Sequence, residues 1–407
     1  MHRSFIAVIL VAAAPAIADS TQLETITFSQ ALGDGAGAPE LAGARDAADL
    51  AARVPLPRAW SPLAITFAPG LRLAPEDERG VEGGITVQQA VPLGATTAAR
   101  RSTRDAQAER RRASAAAVEL DSKLAAASAW IDSWAARARL ASAERDLVLA
   151  RSIADATTRG ASAGAFTAPE IADARAFVAE ALARRIDAAG AVTDAGFALA
   201  ATTHRPRIVG ADGPLPAPEI AAPAAWPELV ARAHRLPEVA ARRLVARAER
   251  VRAVEERASR RPQLVLGGEL VRDAPGALTA IASIGVLLPH DDGAREAGLA
   301  LVEARDADGL ADGLAARGAL ALDRALHDVE HTGELLAALE RELGPAADDA
   351  AQRRARAFAV GETTVVELLA AQRTALAAHA RISDAQAAHA WARVRAWLLL
   401  AATEVAP

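Results

Sequence analysis

The sequence has no cysteine and no tyrosine, and only 3% of it is aromatic. Without cysteine there can be no disulfide, no thiolate metal site, no cysteine nucleophile and no lipidated N-terminal Cys. Charge of neither sign dominates: 46 basic residues stand against 51 acidic ones, a net of -5, so no electrostatic pull toward nucleic acid exists. Downstream of the N-terminus no run of about 18 apolar residues occurs, which excludes a transmembrane helix there. Yet 52% of the chain is hydrophobic, and with so few aromatics alanine must supply much of that share. Alanine is the best helix former and a poor core filler, so the composition predicts long, closely packed helices. It argues against an ordinary enzyme core.

At the N-terminus His2 and Arg3 precede an apolar run from Phe5 to Ala14, followed by Ala16-Ile17-Ala18 before Asp19. A basic start, a short apolar segment and an A-x-A site read as a secretory signal peptide over residues 1–18. An exported chain without an apolar helix can enter a membrane only as β-strands.

A long-period internal repeat follows. Pro39-Glu40-Leu41-Ala42 returns as Pro237-Glu238-Val239-Ala240, and the strand-like run Ile85 to Pro92 returns as Ala282 to Pro289. Gly164, Glu170, Ala174 and Arg184 return as Gly361, Glu367, Ala371 and Arg381, at a spacing of 197 residues. Matches in one order at nearly one spacing divide the chain beyond the signal into two copies of one unit, 19–215 and 216–407.

Each copy alternates helix and strand patterns. Residues 96–158 and 294–343 are rich in Ala, Arg, Glu and Leu without Pro, with apolar residues at helical spacing such as Val118, Leu120, Leu124, Ile131 and Trp134. The first run would be roughly 95 Å long as a helix. Second helices are predicted from Pro169 to Thr203 and from Thr364 to Thr403, shorter ones before the strands, with Pro237 to Arg261 the clearest, and a break or kink at Gly344-Pro345. Two hairpins are predicted between helices. In the first, Leu63, Ile65 and Phe67 alternate with small residues, and Ile85, Val87 and Val91 alternate with Thr86, Gln88 and Ala90. The second runs from Gln263 to Leu270 and from Thr279 to Leu288. Loops are expected at Pro69 to Gly84 and Arg272 to Leu278, and Pro92 and Pro289 stand where strand gives way to helix. Alternation of apolar and small polar residues suits a strand with lipid on one side and water on the other. Four strands cannot close a barrel, so either the hairpins are soluble decorations or several chains pool them.

Over nearly all of residues 19–407 the pattern resembles the TolC-like outer-membrane efflux channel family. The segment Phe358-Ala359-Val360-Gly361-Glu362-Thr363-Thr364-Val365-Val366-Glu367 is similar to that family's tunnel tip. Gln88 to Gly94, Arg100-Arg101, and Val271-Arg272-Asp273 leading to Pro289 resemble its heavy-metal cation efflux branch. The resemblance implies a mainly α chain with two β-hairpins. Its long antiparallel helices would form a periplasmic α-barrel, and its four strands would join a shared outer-membrane β-barrel in a homotrimer. It further implies a periplasmic adaptor and an inner-membrane RND-type pump as partners, with no nucleic acid and no cofactor. Carried over by position, Glu367 and its counterpart Glu170 are tunnel-entrance acidic residues. Gly164, Phe166, Thr167, Phe358, Gly361, Thr363, Thr364 and Val365 form the periplasmic tip and adaptor contact. A second acidic position found in some members is Ala370 here. Two positions that hold the entrance shut by a tyrosine and an arginine in the best-known member are Phe358 and Thr363, so a less firmly closed entrance is expected. Aromatic girdles are nearly absent, with only Trp60 and Phe67 at the first hairpin.

Other motifs have plainer readings. Gly160-Ala161-Ser162-Ala163-Gly164 matches the G-x-S-x-G nucleophile pattern, but that motif needs a strand before it, where here a long helix precedes. His327-Asp328-Val329-Glu330-His331 matches H-x-x-E-H, whose two imidazoles share a helix face. Zinc proteolysis would need a third ligand and another fold, so a solvated helix face is expected and no metal site is assigned. In His290-Asp291-Asp292, Asp292 reads as a helix cap. A Glu in a first helical turn is favoured by the helix dipole alone, which is the plain reading of Glu170 and Glu367. A passive efflux channel accounts for all these features. A soluble periplasmic coiled-coil or adaptor-type protein accounts for the signal and helices but not for hairpins with one apolar face.

Overall fold

A computed structural model describes residues 24–55, 63–72, 80–92, 96–162, 166–220, 225–273 and 277–404. The expected signal peptide at 1–18, Trp60 and Gly164 lie outside the described residues.

In chain order the elements are β1 (Glu24–Thr27), α1 (Phe28–Gly35), α2 (Pro39–Arg53), β2 (Ala64–Arg72), β3 (Gly80–Pro92), α3 (Thr96–Ser162), α4 (Ala168–Thr202) and β4 (Val209–Asp212). They continue with α5 (Trp226–Ala233), α6 (Pro237–Ser259), β5 (Gln263–Asp273), β6 (Ala277–Leu287), α7 (Ala294–Ala338), α8 (Gly344–Ala359) and α9 (Val365–Glu404). The chain is mainly α, as its composition predicts, and α3 alone has 67 residues. Among the described residues no helix is long and apolar enough to cross a membrane.

The described chain forms two compact units. One comprises residues 24–34, Ala125–Pro216 and Leu335–Trp391. Here β1 pairs in parallel with β4, Ile26 opposite Ala211, a two-stranded sheet absent from the sequence-based expectation. Trp130 anchors it: the indole is fully buried, donates from Nε1 to the Ile26 carbonyl at 2.8 Å and meets Phe28 edge-on. Of the aromatics on this stretch of α3, Trp130 is therefore buried, whereas Trp134, picked by spacing, is half-buried. The expected break at Gly344-Pro345 takes the form of a π-helical turn, Leu339–Leu343. Pro345 has no N–H to return to the preceding turn, and the Gly344 N–H donates instead to the Leu339 carbonyl five residues back, so the helix continues with one wider turn.

The second unit comprises Gly35–Leu124, Ala217–Glu334 and 392–404. On α7 the buried positions are almost all alanine: Ala297, Ala300, Ala304, Ala307, Ala311, Ala315 and Ala319. Such a stripe lets neighbouring helices approach closely, and larger residues plug the gaps, as Leu229, Leu236, Val239 and Leu322 do in one cluster.

The two hairpins join into one antiparallel sheet of order β2-β3-β5-β6, the new contact being β3 with β5. The strands run further than local composition suggests. The expected loop at Pro69 to Gly84 gives way to pairs as far as Arg72 with Gly80, and the one at Arg272 to Leu278 to pairs as far as Asp273 with Ala277. Ladder hydrogen bonds outweigh the Gly-rich composition, and Pro69 is tolerated because β2 is an edge strand. Register brings most of the large apolar residues to one face, Ile65 opposite Val87, Phe67 opposite Ile85, Ile85 opposite Leu270, Val91 opposite Leu264, Leu264 opposite Val286 and Leu266 opposite Ile284, together with Gln89 and Arg272. Thr66, Thr86, Gln88, Glu269 and Ser283 occupy the other face, where the less regular second hairpin also places Val265, Val271, Ile281 and Leu287. The apolar face is left uncovered, with Phe67 at 69% and Ile284 at 74% of full exposure.

Candidate functional site

Two helix turns in the first unit hold most of the sequence-predicted site. The first lies between α3 and α4, the second between α8 and α9. Both second helices begin with the same device, a Thr followed three residues later by a Glu. At α4 the Thr167 N–H and hydroxyl both donate to Glu170 Oε2 at 2.8 Å. At α9 the Thr364 N–H donates to Glu367 Oε2 at 3.3 Å, and the Glu367 N–H donates back to Thr364 Oγ1 at 3.3 Å. Each carboxylate thus satisfies an N-terminal backbone donor that the helix cannot.

The second turn adds further contacts. The Thr363 hydroxyl donates to Glu367, and Arg354 Nη1 from α8 lies 3.5 Å from Glu367 Oε2 and 3.4 Å from Thr363 Oγ1. Both carboxyls are held below the usual range. For Glu170 the Thr167 backbone donor contributes most, then the Thr167 hydroxyl. For Glu367 the Thr363 hydroxyl contributes most, then the Thr364 N–H, with a smaller pull from Arg354.

Gly361 allows this turn to form. Its φ of +79° lies in the left-handed region, and the Gly361 and Glu362 N–H groups donate to the Phe358 and Ala357 carbonyls, closing α8 in a Schellman motif. The two turns are joined by aromatic stacking of Phe166 on Phe358, over a core of Leu147, Ile153, Phe177, Leu368 and Leu369. Phe177 lies beneath Arg373, whose guanidinium is 5.3 Å from the ring centroid and also bonds Glu180 at 3.0 Å.

The structure therefore brings Phe166, Thr167, Glu170, Phe358, Gly361, Thr363, Thr364 and Glu367 to two adjoining turns. Val365 differs: it is fully buried, so its side chain supports the turn from beneath and offers no outer contact surface. The exposed apolar residues here are Val360 and Val366, at 70% and 53%. Sequence reasoning also did not single out Arg354, which lies thirteen positions before Glu367 with a turn between; a basic residue near a helix C-terminus was the available signal. Pro92 ends β3, paired with Gln263, and Pro289 lies between β6 and α7.

Among the described residues no acid–base or nucleophilic pair is assembled at these turns. Ser162, in the hydrolase-like motif, is the last residue of α3 and donates to the Arg159 carbonyl at 2.6 Å, with no strand before it. His327 and His331 stack on α7 with centroids 6.0 Å apart. Among the described residues no three His, Asp or Glu side chains converge on a common point. Asp292 accepts from the Ala294 N–H at 2.9 Å, at the start of α7. What remains chemically is electrostatic: the half-buried Glu170 and the exposed Glu367 at helix starts, with the exposed Glu362 in the second turn.

No protein-family model and no curated protein sequence matches the chain. Solved structures do. CusC, described in connection with transmembrane channel formation, aligns over 93% of this chain and 92% of its own, with a TM-score of 0.75 and 12% identity. The CmeC outer membrane channel of Campylobacter jejuni aligns over 92% and 85%, with a TM-score of 0.73 and 13% identity. The MtrE outer membrane channel of Neisseria gonorrhoeae, in its open state, aligns over 92% and 88%, with a TM-score of 0.71 and 16% identity. The chain shares the fold of these channels across nearly its whole length.

Proposed function

We propose that this protein is the outer-membrane channel component of a tripartite efflux system and a passive conduit with no enzymatic activity. Three copies pool their sheets into one twelve-stranded barrel, while the helices form a periplasmic tunnel. A periplasmic adaptor meets the tunnel at the two turns, and an inner-membrane RND-type pump supplies substrate, for which metal cations are the class we favour. The repeats at 19–215 and 216–407 and an exported start at 1–18 belong to this reading. So do Glu170 and Glu367 at the tunnel entrance, with Gly164, Phe166, Thr167, Phe358, Gly361, Thr363 and Thr364 as the tip.

The observation that carries the proposal is the sheet. Its four strands have a mainly apolar face open to the surroundings, and among the described residues the edge strands β2 and β6 have no partner on their outer sides. In lipid each unsatisfied backbone group costs several kcal/mol, so such a sheet must close on further copies of itself. Likeness in fold to outer membrane channels supports the same conclusion. A soluble adaptor gives no reason for the uncovered face.

Membrane fractionation and mass measurement in mild detergent test the proposal. The expected result is extraction from outer membranes only with detergent, a particle of three chains, and ion conductance in planar bilayers. A monodisperse monomer that keeps its strand signal in circular dichroism would overturn it.

A further inference from the structure

The two entrance carboxylates share a capping device but not an electrostatic environment. Glu367 faces Arg354, with guanidinium and carboxylate 3.5 Å apart and both side chains 51% exposed. Thr363 holds the arrangement together, donating to Glu367 while lying 3.4 Å from the same Arg354 nitrogen. The first copy has no such cation. One repeat length before Arg354 stands Thr157, fully buried, its hydroxyl bonded to the Ile153 carbonyl at 2.8 Å. Among the described residues Glu170 is bonded to Thr167 and paired with no basic side chain.

We infer that Arg354 cancels the charge of Glu367, so that the fixed negative charge selecting ions at these turns resides on Glu170 and on the exposed Glu362 beside Gly361. The inference rests on the channel reading above and assigns Arg354 as a specificity-determining residue. Opposite unit charges this close act as a dipole, whose field fades faster with distance than that of a lone charge, and salt at 0.1 M screens the remainder beyond about 10 Å. A lone carboxylate, repeated around a symmetric assembly, keeps its full attraction for cations. Of the three carboxylates at these turns, Glu170, Glu362 and Glu367, only Glu367 then has its charge cancelled.

The test is a double-mutant cycle in planar bilayers under a KCl gradient, read as the K⁺ over Cl⁻ permeability ratio. Arg354→Gln should raise the ratio by unmasking Glu367. Glu367→Gln should lower it by leaving Arg354 unopposed, and the double variant should return to wild type. Glu170→Gln should lower the ratio in either background, and Arg354→Lys, which keeps the charge, should behave as wild type. An unchanged ratio in Arg354→Gln, with the double variant matching Glu367→Gln, would overturn the inference while leaving the entrance carboxylates intact. Unchanged ratios in every variant, Glu170→Gln included, overturn the entrance reading and this inference with it.

Discussion

Phe166 and Phe358 stack with ring centroids 5.5 Å apart and planes inclined by 20°. The contact joins the turn after α3 to the end of α8, far apart in sequence, and it leaves little room beneath. A Cβ added at Gly160 would lie 2.4 Å from Phe166 Cε2 and 2.6 Å from its Cδ2.

Gly160→Ala should therefore force the Phe166 ring off Phe358. Overpacking of this kind costs about 1–3 kcal/mol, with loss of a stacked pair adding about 0.5–1.5 kcal/mol. Gly190, inside α4 with nothing within 4 Å of an added Cβ, is the control. Its replacement by Ala should stabilise by about 0.5–1 kcal/mol through helix propensity. Thermal unfolding of both variants in detergent checks the difference in sign; a Gly160→Ala protein as stable as wild type would mean the ring has free space to move into.

The carboxyls predict opposite pH effects. Glu170 and Glu367 sit below their usual value of 4.5, so their contribution to stability is present above that value and is lost as pH falls through the lower folded-state value. Asp146 is raised above 3.8, because burial outweighs the fields of Arg184, Arg145 and His379. Its charge opposes folding at neutral pH, and that penalty is relieved as pH falls through its raised value. Asp146→Asn should raise the denaturation midpoint at pH 7, with the gain shrinking in acid. Glu170→Gln, which can still accept the Thr167 donor, should chiefly flatten the acid limb. Denaturation midpoints between pH 7 and pH 3 measure both, and an acid-sensitive gain at Asp146 of the reverse sign would refute the burial argument.

The sheet register predicts a strict alternation. Ile85 lies between Phe67 and Leu270 on the apolar face, while Thr86 lies between Thr66 and Glu269 on the other. Arg at Ile85 should cost about 2–4 kcal/mol near a bilayer midplane and block assembly, whereas Arg at Thr86 should be tolerated. Heat-resistant oligomer on a semi-native gel is the readout. Tolerance at Ile85 with failure at Thr86 would place lipid against the opposite face.

Much of the architecture was legible because it is local. Alanine-rich periodicity marked α3 and α7, a Glu in the first turn fitted the starts of α4 and α9, and alternation marked β2 and β3. The strand ends were misjudged where Gly and Pro suggested loops, since pairing across a ladder stabilises residues that local propensity disfavours. The π-helical turn was foreseen only as a break, because a missing proline donor does not say how the backbone around it will be rewired.

By itself the sequence determined the long helices, the two hairpins and the apolar face of the first hairpin, since those follow from interactions within a few residues. Only the tertiary structure decided that β3 lies beside β5, that β1 finds β4, that Trp130 rather than Trp134 is buried, that Phe166 meets Phe358 and that Arg354 faces Glu367. The physical reason is the same for each. Such contacts join residues distant in the chain, and which partner wins is set by the closure of the whole fold, where many segments with equal local propensity compete for one place.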